Sequence, residues 1–400
     1  MPSISDPLHG YIKLGELAEN LIDTPQMQRL RWIKQLGLAN LVYPGANHTR
    51  FEHSLGAFYL ASSLADRLKL NEPERAEIQT AALLHDVGHG PFSHATESIL
   101  FTYLRLNHEN VIDLLRNSEV GDVLNDHGLD PRRIQRLIFG ETALGQIVNS
   151  EIDVDRMDYL IRDAHYTGVA YGVIDYKRLI ETMKVCNGQL VIEEGGIHAA
   201  ESMLISRLLM YPTVYFHHVS RISQSMVKSG IRNLVESGEA NPRDLKLMDD
   251  LGLVNAMYLA GGYPAEIIER IKLRRLFKRA IYVGQESLDS DFPARERSDR
   301  IAEEIAEEAN IDPLYVLVDN PRSPHIAEGN VAIKINGEIK TLREVSPLVA
   351  IMENAHLAAW RFGVYTTEEN RGIVTKAAKR CLNIGKRAIQ HTFEEMASNS

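Results

Sequence analysis

The stretch Ala81-Ala-Leu-Leu-His85-Asp86-Val-Gly-His89-Gly-Pro-Phe-Ser-His94 decides the reading of this chain. Pro73 opens a predicted helix in which Ile78, Ala81, Ala82 and Leu84 recur at helical spacing, and the helix stops near Gly88-His89-Gly90-Pro91. His85 and Asp86 therefore sit at a helix terminus, where two neighbouring side chains can converge on one ion. Upstream, Arg50-Phe-Glu-His53 begins a second helix. Downstream, Ile152-Asp153-Val-Asp155-Arg156-Met-Asp158-Tyr159 begins a third, rich in carboxylates. Two imidazoles and two carboxylates form a mixed nitrogen and oxygen site that suits Mn, Fe, Zn or Ni better than Ca. In a six-coordinate ion they leave positions for water and a phosphate oxygen, and such an ion acidifies water and stabilises charge on phosphorus. A lone His-Asp dipeptide is more often a helix cap with satisfied hydrogen bonds. Here it is accompanied by His53, His89, His94, His108 and the Asp153/Asp155 pair, all near helix ends, and that conjunction favours a metal site.

The rest of the composition fits a globular enzyme. Of 400 residues, 44% are hydrophobic and 24% charged, which excludes disordered and fibrous classes. No apolar run approaches the roughly 18 residues of a membrane span, and Met1 to Gly10 lacks a signal-peptide pattern, so a cytoplasmic protein without membrane contact is expected. Cys186 and Cys381 are too few for a disulfide framework or a thiolate zinc site. A net charge of −10 argues against general nucleic-acid binding, which leans on phosphate neutralisation.

The predicted fold is mainly α. Helical patterning runs from Thr24, an N-cap before Pro25, through Leu30, Ile33, Leu36 and Gly37 and on to about Tyr171. Asn187-Gly188 marks a small β-hairpin over 183–192, and helices return from Ile197 to about Leu273. Strand-like runs at 279–283, 314–318 and 331–335, a second Asn336-Gly337 turn and an acidic helix over 301–309 characterise the last third. The expected division is a helical body over 1–275 and a smaller α+β lobe over 276–400. The basic run from Arg270 to Arg279 reads either as a solvated helix face or as a contact to phosphate or another subunit.

Beyond the His-Asp stretch, several motifs are specific: Asp6-Pro-Leu-His-Gly10, Ile22-Asp-Thr-Pro-Gln-Met-Gln-Arg-Leu-Arg31, Ile33-Lys-Gln-Leu-Gly37, Tyr43-Pro-Gly-Ala46, Thr49-Arg-Phe-Glu-His-Ser-Leu-Gly56 and Ile152-Asp-Val-Asp-Arg-Met-Asp-Tyr159. Together they resemble the HD-domain metal-dependent phosphohydrolases, and within them the deoxynucleoside triphosphate triphosphohydrolases that join a SAM domain to an HD domain. The resemblance spans residues 6 to about 220; beyond that only the order of elements is similar.

The resemblance implies metal ligands at His53, His85, Asp86 and Asp155. It implies release of deoxynucleoside and intact triphosphate by attack of activated water on the α-phosphorus, with a divalent transition metal and possibly Mg as cofactors. His94 matches the histidine that protonates the departing 5′-oxygen, His108 a second active-site histidine, and Glu97 the carboxylate that orients the acid. Arg50 and Arg207 match phosphate-binding arginines, and Arg156 stands in place of a lysine. Tyr159, Asp163 and Tyr215 match residues around sugar and phosphates; Tyr211 replaces a histidine. Gln35 and Leu36 match the pair that contacts the 3′-hydroxyl and crowds the 2′ position. Asp23, Gln28 and Arg31 match an allosteric guanine-nucleotide site between subunits, although the lysine expected ahead of Asp6 is absent, as is a SAM segment. A homo-oligomer, dimer or tetramer, is implied with a nucleotide substrate. Two alternatives stay open: a phosphatase or phosphodiesterase acting on another nucleotide, and a nucleotide-binding regulatory protein with an idle centre.

Overall fold

The structure, a computed structural model, describes residues 2–288, 298–321, 328–349, 351–352 and 360–384, and only the backbone of His94 and Glu328. The fold is mainly helical, with its strands in three small sheets. At its centre lies the Arg50–Leu68 helix, buried along most of its length. A capping box starts it: the Thr49 hydroxyl accepts from the Glu52 amide while Glu52 reaches back to the Thr49 backbone. The Glu72–Leu84 and Val154–Thr167 helices pack against it. Gly56 permits the second contact, because a Cβ there would lie 1.8 Å from Asp158 Oδ1.

The strands are β1 (Ser3–Asp6), β2 (Gly10–Lys13), β3 (Met183–Cys186), β4 (Gln189–Glu193), β5 (Lys278–Val283), β6 (Leu317–Asp319), β7 (Ala332–Ile335), β8 (Glu338–Thr341) and β9 (Phe362–Thr366). β1 and β2 form a hairpin. The two hairpins expected from Asn-Gly turns are present, with Asn187, Gly188, Asn336 and Gly337 all at positive φ. They join in one sheet of order β3-β4-β7-β8, the inner pair parallel with Ile192 opposite Ile333. In the third sheet β9 is central, flanked antiparallel by β5 and β6 and covered by the Ser298–Ala309 and Arg371–Cys381 helices. Apolar packing crosses residue 275: Val331, Ile333 and Leu342 belong to the main core, and Leu317 and Tyr365 pack with Met226, Ile231 and Ile267.

Two local expectations differ. The helix at Thr24 ends after Pro25–Arg29 and a 3-10 turn over Leu30–Trp32. Ile33 is extended, and the next backbone groups are claimed from elsewhere: the Lys34 amide by Asp250, and the Gln35 amide by the His48 carbonyl. These long-range bonds outcompete the helical pattern. The strand expected at 314–318 is a 3-10 turn over Pro313–Tyr315 followed by β6, because the Asp312 side chain caps the turn. No helix among the described residues is long and apolar enough to cross a membrane.

Candidate metal centre

Three helix ends meet at the site. His53 lies in the first turn of the Arg50–Leu68 helix, His85 caps the C-terminus of Glu72–Leu84 with Asp86 following, and Asp155 lies in the first turn of Val154–Thr167. His53, His85 and Asp86 are buried and offer ligand atoms within 4.8 Å of one another. Asp155 Oδ1 completes the group, 2.9 Å from His53 Nε2 and 3.5 Å from His85 Nε2.

Both imidazoles are oriented from behind. His85 Nδ1 donates to the Ala82 carbonyl at 2.8 Å, and His53 Nδ1 donates to Asp158 Oδ2 at 2.8 Å. With both Nδ1 atoms committed as donors, the neutral rings present Nε2 lone pairs 3.1 Å apart. Such a pair needs a shared proton or a cation, and with two carboxylates adjacent the donor set fits a divalent metal.

A buried network fixes Asp158 in turn. Arg162, four residues on, donates Nε to Oδ2 at 2.8 Å and a terminal nitrogen to Oδ1 at 3.0 Å. Its other terminal nitrogen reaches Asp6 Oδ2 at 2.9 Å, and His9 Nε2 donates to Asp158 Oδ1 at 2.7 Å. Asp6 and His9 stand on either side of the β1–β2 turn, where Asp6 Oδ1 also accepts from the Leu8 and His9 amides. Partners that orient a ligand imidazole also strengthen it as a donor. Sequence reading assigned no role to His9, Asp158 or Arg162; the signal was the Asp158–Arg162 spacing of four on one helix face.

The charges respond to this packing. Burial alone would lower the His53 pKa, but Asp155 and Asp158 outweigh it and hold the ring up to about 10 in the metal-free chain. Burial would raise Asp86, yet Arg50 and His85 hold it well below the usual carboxylate range. Asp153, which caps the third helix, is pushed up to about 6 by burial despite its Arg156 partner.

The other expected residues fall in three places. Arg50 is buried between Asp86, to which it donates, and the Ser93 hydroxyl at 2.8 Å. Phe92 and Ser93, both at positive φ, form a turn before the His94–Leu104 helix. His94 begins that helix, and its side chain lies outside the described residues. Glu97 accepts from His108 Nδ1 at 2.5 Å, and His108 stacks on His89 with centroids 3.9 Å apart. His89 Nε2 meets Asp86 Oδ1 at 3.2 Å, so this pair extends the site.

On the opposite flank, the Tyr159 ring stands edge-on to His53 at 6.4 Å and to Tyr215 at 6.2 Å. The Tyr215 hydroxyl donates to Asp163 at 2.9 Å, and His48 Nε2 donates to the same carboxylate at 2.8 Å. Arg156 pairs with Asp153, and Arg207 lies 3.6 Å from Glu151 and within reach of Tyr211. Gln35 and Leu36 run beside the start of the His53 helix, with Gln35 Oε1 buried and lacking a hydrogen-bond partner among the described residues.

Of the three residues matched to a nucleotide site, Gln28 and Arg31 meet, with Arg31 Nε donating to Gln28 Oε1 at 3.0 Å and its guanidinium 3.6 Å over Phe51, while Asp23 caps the C-terminus of the Glu16–Ile22 helix. In the basic run, Arg270 pairs with Glu266 and Arg274 donates to the Leu41 carbonyl, contacts within the chain.

Comparison with known proteins agrees with this architecture. The family model described as HD domain matches residues 50–163, and the one described as HD associated region matches residues 174–393. An uncharacterised protein of Methanocaldococcus jannaschii is 34% identical over 389 residues, covering 92% of this chain and 80% of the relative. The human deoxynucleoside triphosphate triphosphohydrolase SAMHD1 is 32% identical over 352 residues, covering 71% of this chain and 55% of that protein. The chain thus spans little more than half of that relative's length. A solved phosphohydrolase of Bacteroides thetaiotaomicron superposes with a TM-score of 0.74 at 27% identity, covering 92% of this chain and 100% of the other. A solved hypothetical protein of Aquifex aeolicus gives 0.75 at 31% identity, covering 94% and 99%. With the two family regions lying in tandem and the paired histidine and aspartate at the meeting of three helix ends, this chain belongs to the HD-domain phosphohydrolases.

Proposed function

We propose that this chain hydrolyses deoxynucleoside triphosphates to deoxynucleoside and triphosphate. The observation that carries the reading is the flank of Tyr159, Tyr215, Arg156 and Arg207 beside the His53, His85, Asp86 and Asp155 donors. Aromatic edges and guanidinium groups next to a metal centre suit a sugar followed by several phosphates. The relatives named as deoxynucleoside triphosphate triphosphohydrolases support the same substrate.

In this reading His53, His85, Asp86 and Asp155 hold a divalent transition metal, drawn from Mn, Fe, Zn and Ni, with Mg as a second ion on the phosphates. When bound, that ion acidifies water and stabilises charge on phosphorus. Asp158 keeps His53 in the tautomer whose Nε2 faces the site. Arg50 neutralises Asp86 and stands ready for a phosphate oxygen, while Arg207 and Arg156 take the outer phosphates. Gln35 meets the 3′-hydroxyl with its buried Oε1, and Leu36 crowds the 2′ position. Water oxygen bonds to the α-phosphorus, the bond from phosphorus to the 5′-oxygen breaks, and His94 delivers the proton that oxygen requires. Glu97 holds His108 beside this step. The chain works as a homo-oligomer, with Asp23, Gln28 and Arg31 available to a guanine nucleotide.

Product analysis tests the reading. The metal-quantified protein is incubated with each dNTP and rNTP, with Mn²⁺ or Mg²⁺ and with or without GTP. Deoxynucleoside plus triphosphate from dNTPs alone is expected. Orthophosphate, pyrophosphate or monophosphate products would move the chain to a phosphatase or phosphodiesterase of another nucleotide. Indifference to GTP would remove the activator site.

A further inference from the structure

Away from the metal centre, a cavity of about 430 Å³ separates the His218–Glu236 helix from the C-terminal sheet. Arg221, Ser225, Lys228 and Arg232 line it at helical spacing, so one helix face supplies the wall. Asp319 at the end of β6 and Asp299 at the start of Ser298–Ala309 face them.

Two of the cations are satisfied. Arg221 holds Asp319 through two nitrogens, Nε to Oδ2 at 2.8 Å, and the Tyr365 hydroxyl braces the same carboxylate at 3.2 Å. Arg232 pairs with Asp299 at 2.6 Å. Lys228, between them in sequence, makes no hydrogen bond or ion pair with a described residue. Burial, reinforced by Arg232 and opposed only in part by the more distant charges of Asp299 and Asp319, pulls its pKa below the ordinary lysine value, and an anion in direct contact would favour the charged form. Arg221, Lys228 and half-buried Arg232 thus share the cavity with Asp319, while Asp299, Glu236 and Glu303 stand exposed at the rim, where water screens them. A volume of this size holds a small molecule rather than a bare ion.

We propose that this cavity is a second ligand site, which takes a small phosphate-bearing metabolite with its phosphate on Lys228 between the two arginine–aspartate pairs. The Ser225 hydroxyl and the side chains of Gln224 and Asn320 offer hydrogen bonds to the rest of the ligand. Ala95 and Ser98 close the cavity from the other side and belong to the His94–Leu104 helix, which also carries Glu97. A ligand here therefore touches the helix that serves the metal centre. The site does not depend on which nucleotide the centre hydrolyses.

Thermal unfolding of the full chain with sodium pyrophosphate, against sodium chloride at matched ionic strength, tests this. Pyrophosphate in excess is expected to raise the midpoint by about 2 °C or more. Binding at the metal centre is common to every variant, so the decisive quantity is the difference between them. Lys228→Arg should keep the Lys228-dependent shift, whereas Lys228→Met should weaken that binding about tenfold or more. Ser225→Leu, which narrows the cavity without touching a charge, should reduce the shift similarly and serves where Lys228→Met does not fold. An equal shift in wild type, Lys228→Met and Ser225→Leu, or no shift in wild type, would overturn the proposal.

Discussion

The metal centre and the Lys228 cavity are both clusters of charged side chains walled by helices, but they are unbalanced in opposite senses. At the centre, Asp86, Asp153 and Asp158 each have an arginine, and Asp155 instead faces two imidazoles, whose proton a metal ion would displace. In the cavity both aspartates have arginines, and the lysine is left over. Charges drawn partly out of water, as Asp155 and Lys228 are, favour a ligand that answers them directly. The first cluster therefore calls for a cation, and the second for an anion. The difference teaches that the leftover group of a buried network, rather than its total charge, indicates the ligand.

The largest effect should come from breaking the first imbalance outright. Asp86→Ala removes a metal donor and strands Arg50, so retained metal and hydrolysis are expected to vanish together; normal turnover in a folded variant would sink the site assignment. His94→Ala should leave the metal in place while turnover falls by about 10²- to 10⁴-fold. Loss of metal instead, by elemental analysis, would make His94 a ligand.

Asp158→Asn acts one layer further out. The amide removes the charge opposite Arg162 and sets an NH2 donor against either His53 or His9, so metal affinity should fall about 10- to 100-fold with the helical fold retained, by titration with a competing chelator. Unchanged affinity would show that the network serves folding alone.

The pH dependence is a gentler probe. The folded pKa of His53 is raised from 6.5 to about 10, so its contribution to the metal-free chain is fully present below about pH 6.5 and is lost as pH rises through about 10. Denaturant melts of metal-free protein should weaken across that window, and metal, which competes with the same proton, should bind more tightly as pH rises. A metal-free stability flat over this range would count against the carboxylate grip on His53. The smallest effect belongs to the second cluster: without ligand, Lys228→Met should melt at or slightly above the wild-type temperature, because it removes a charge that burial disfavours. A clear drop would mean the charge is already answered within the fold.

Much of the centre was legible because its donors sit in short motifs at helix ends. Helix starts and stops have strong local signals, here Thr49 with Glu52 and Asp153 before Arg156, so His53, His85, Asp86 and Asp155 could be placed from spacing and resemblance. The extended turn at 33–37 was misread as helix because its backbone is bonded to His48 and Asp250, and no local pattern reports such partners. β9, at the centre of its sheet, was missed for a related reason: Phe362 to Thr366 is buried on both faces and lacks the alternation that marks a half-exposed strand.

The helical class, both Asn-Gly hairpins and the histidines and aspartates that gather at the candidate centre were readable from the chain alone, since each follows from side-chain chemistry within a few residues. Tertiary packing alone brings His9 and Arg162 onto Asp158 with Asp6 behind Arg162, puts the two hairpins in one sheet, and leaves Lys228 without a direct partner in a cavity. Those facts depend on which distant groups become neighbours when the helices pack, and burial then sets the value of each charge.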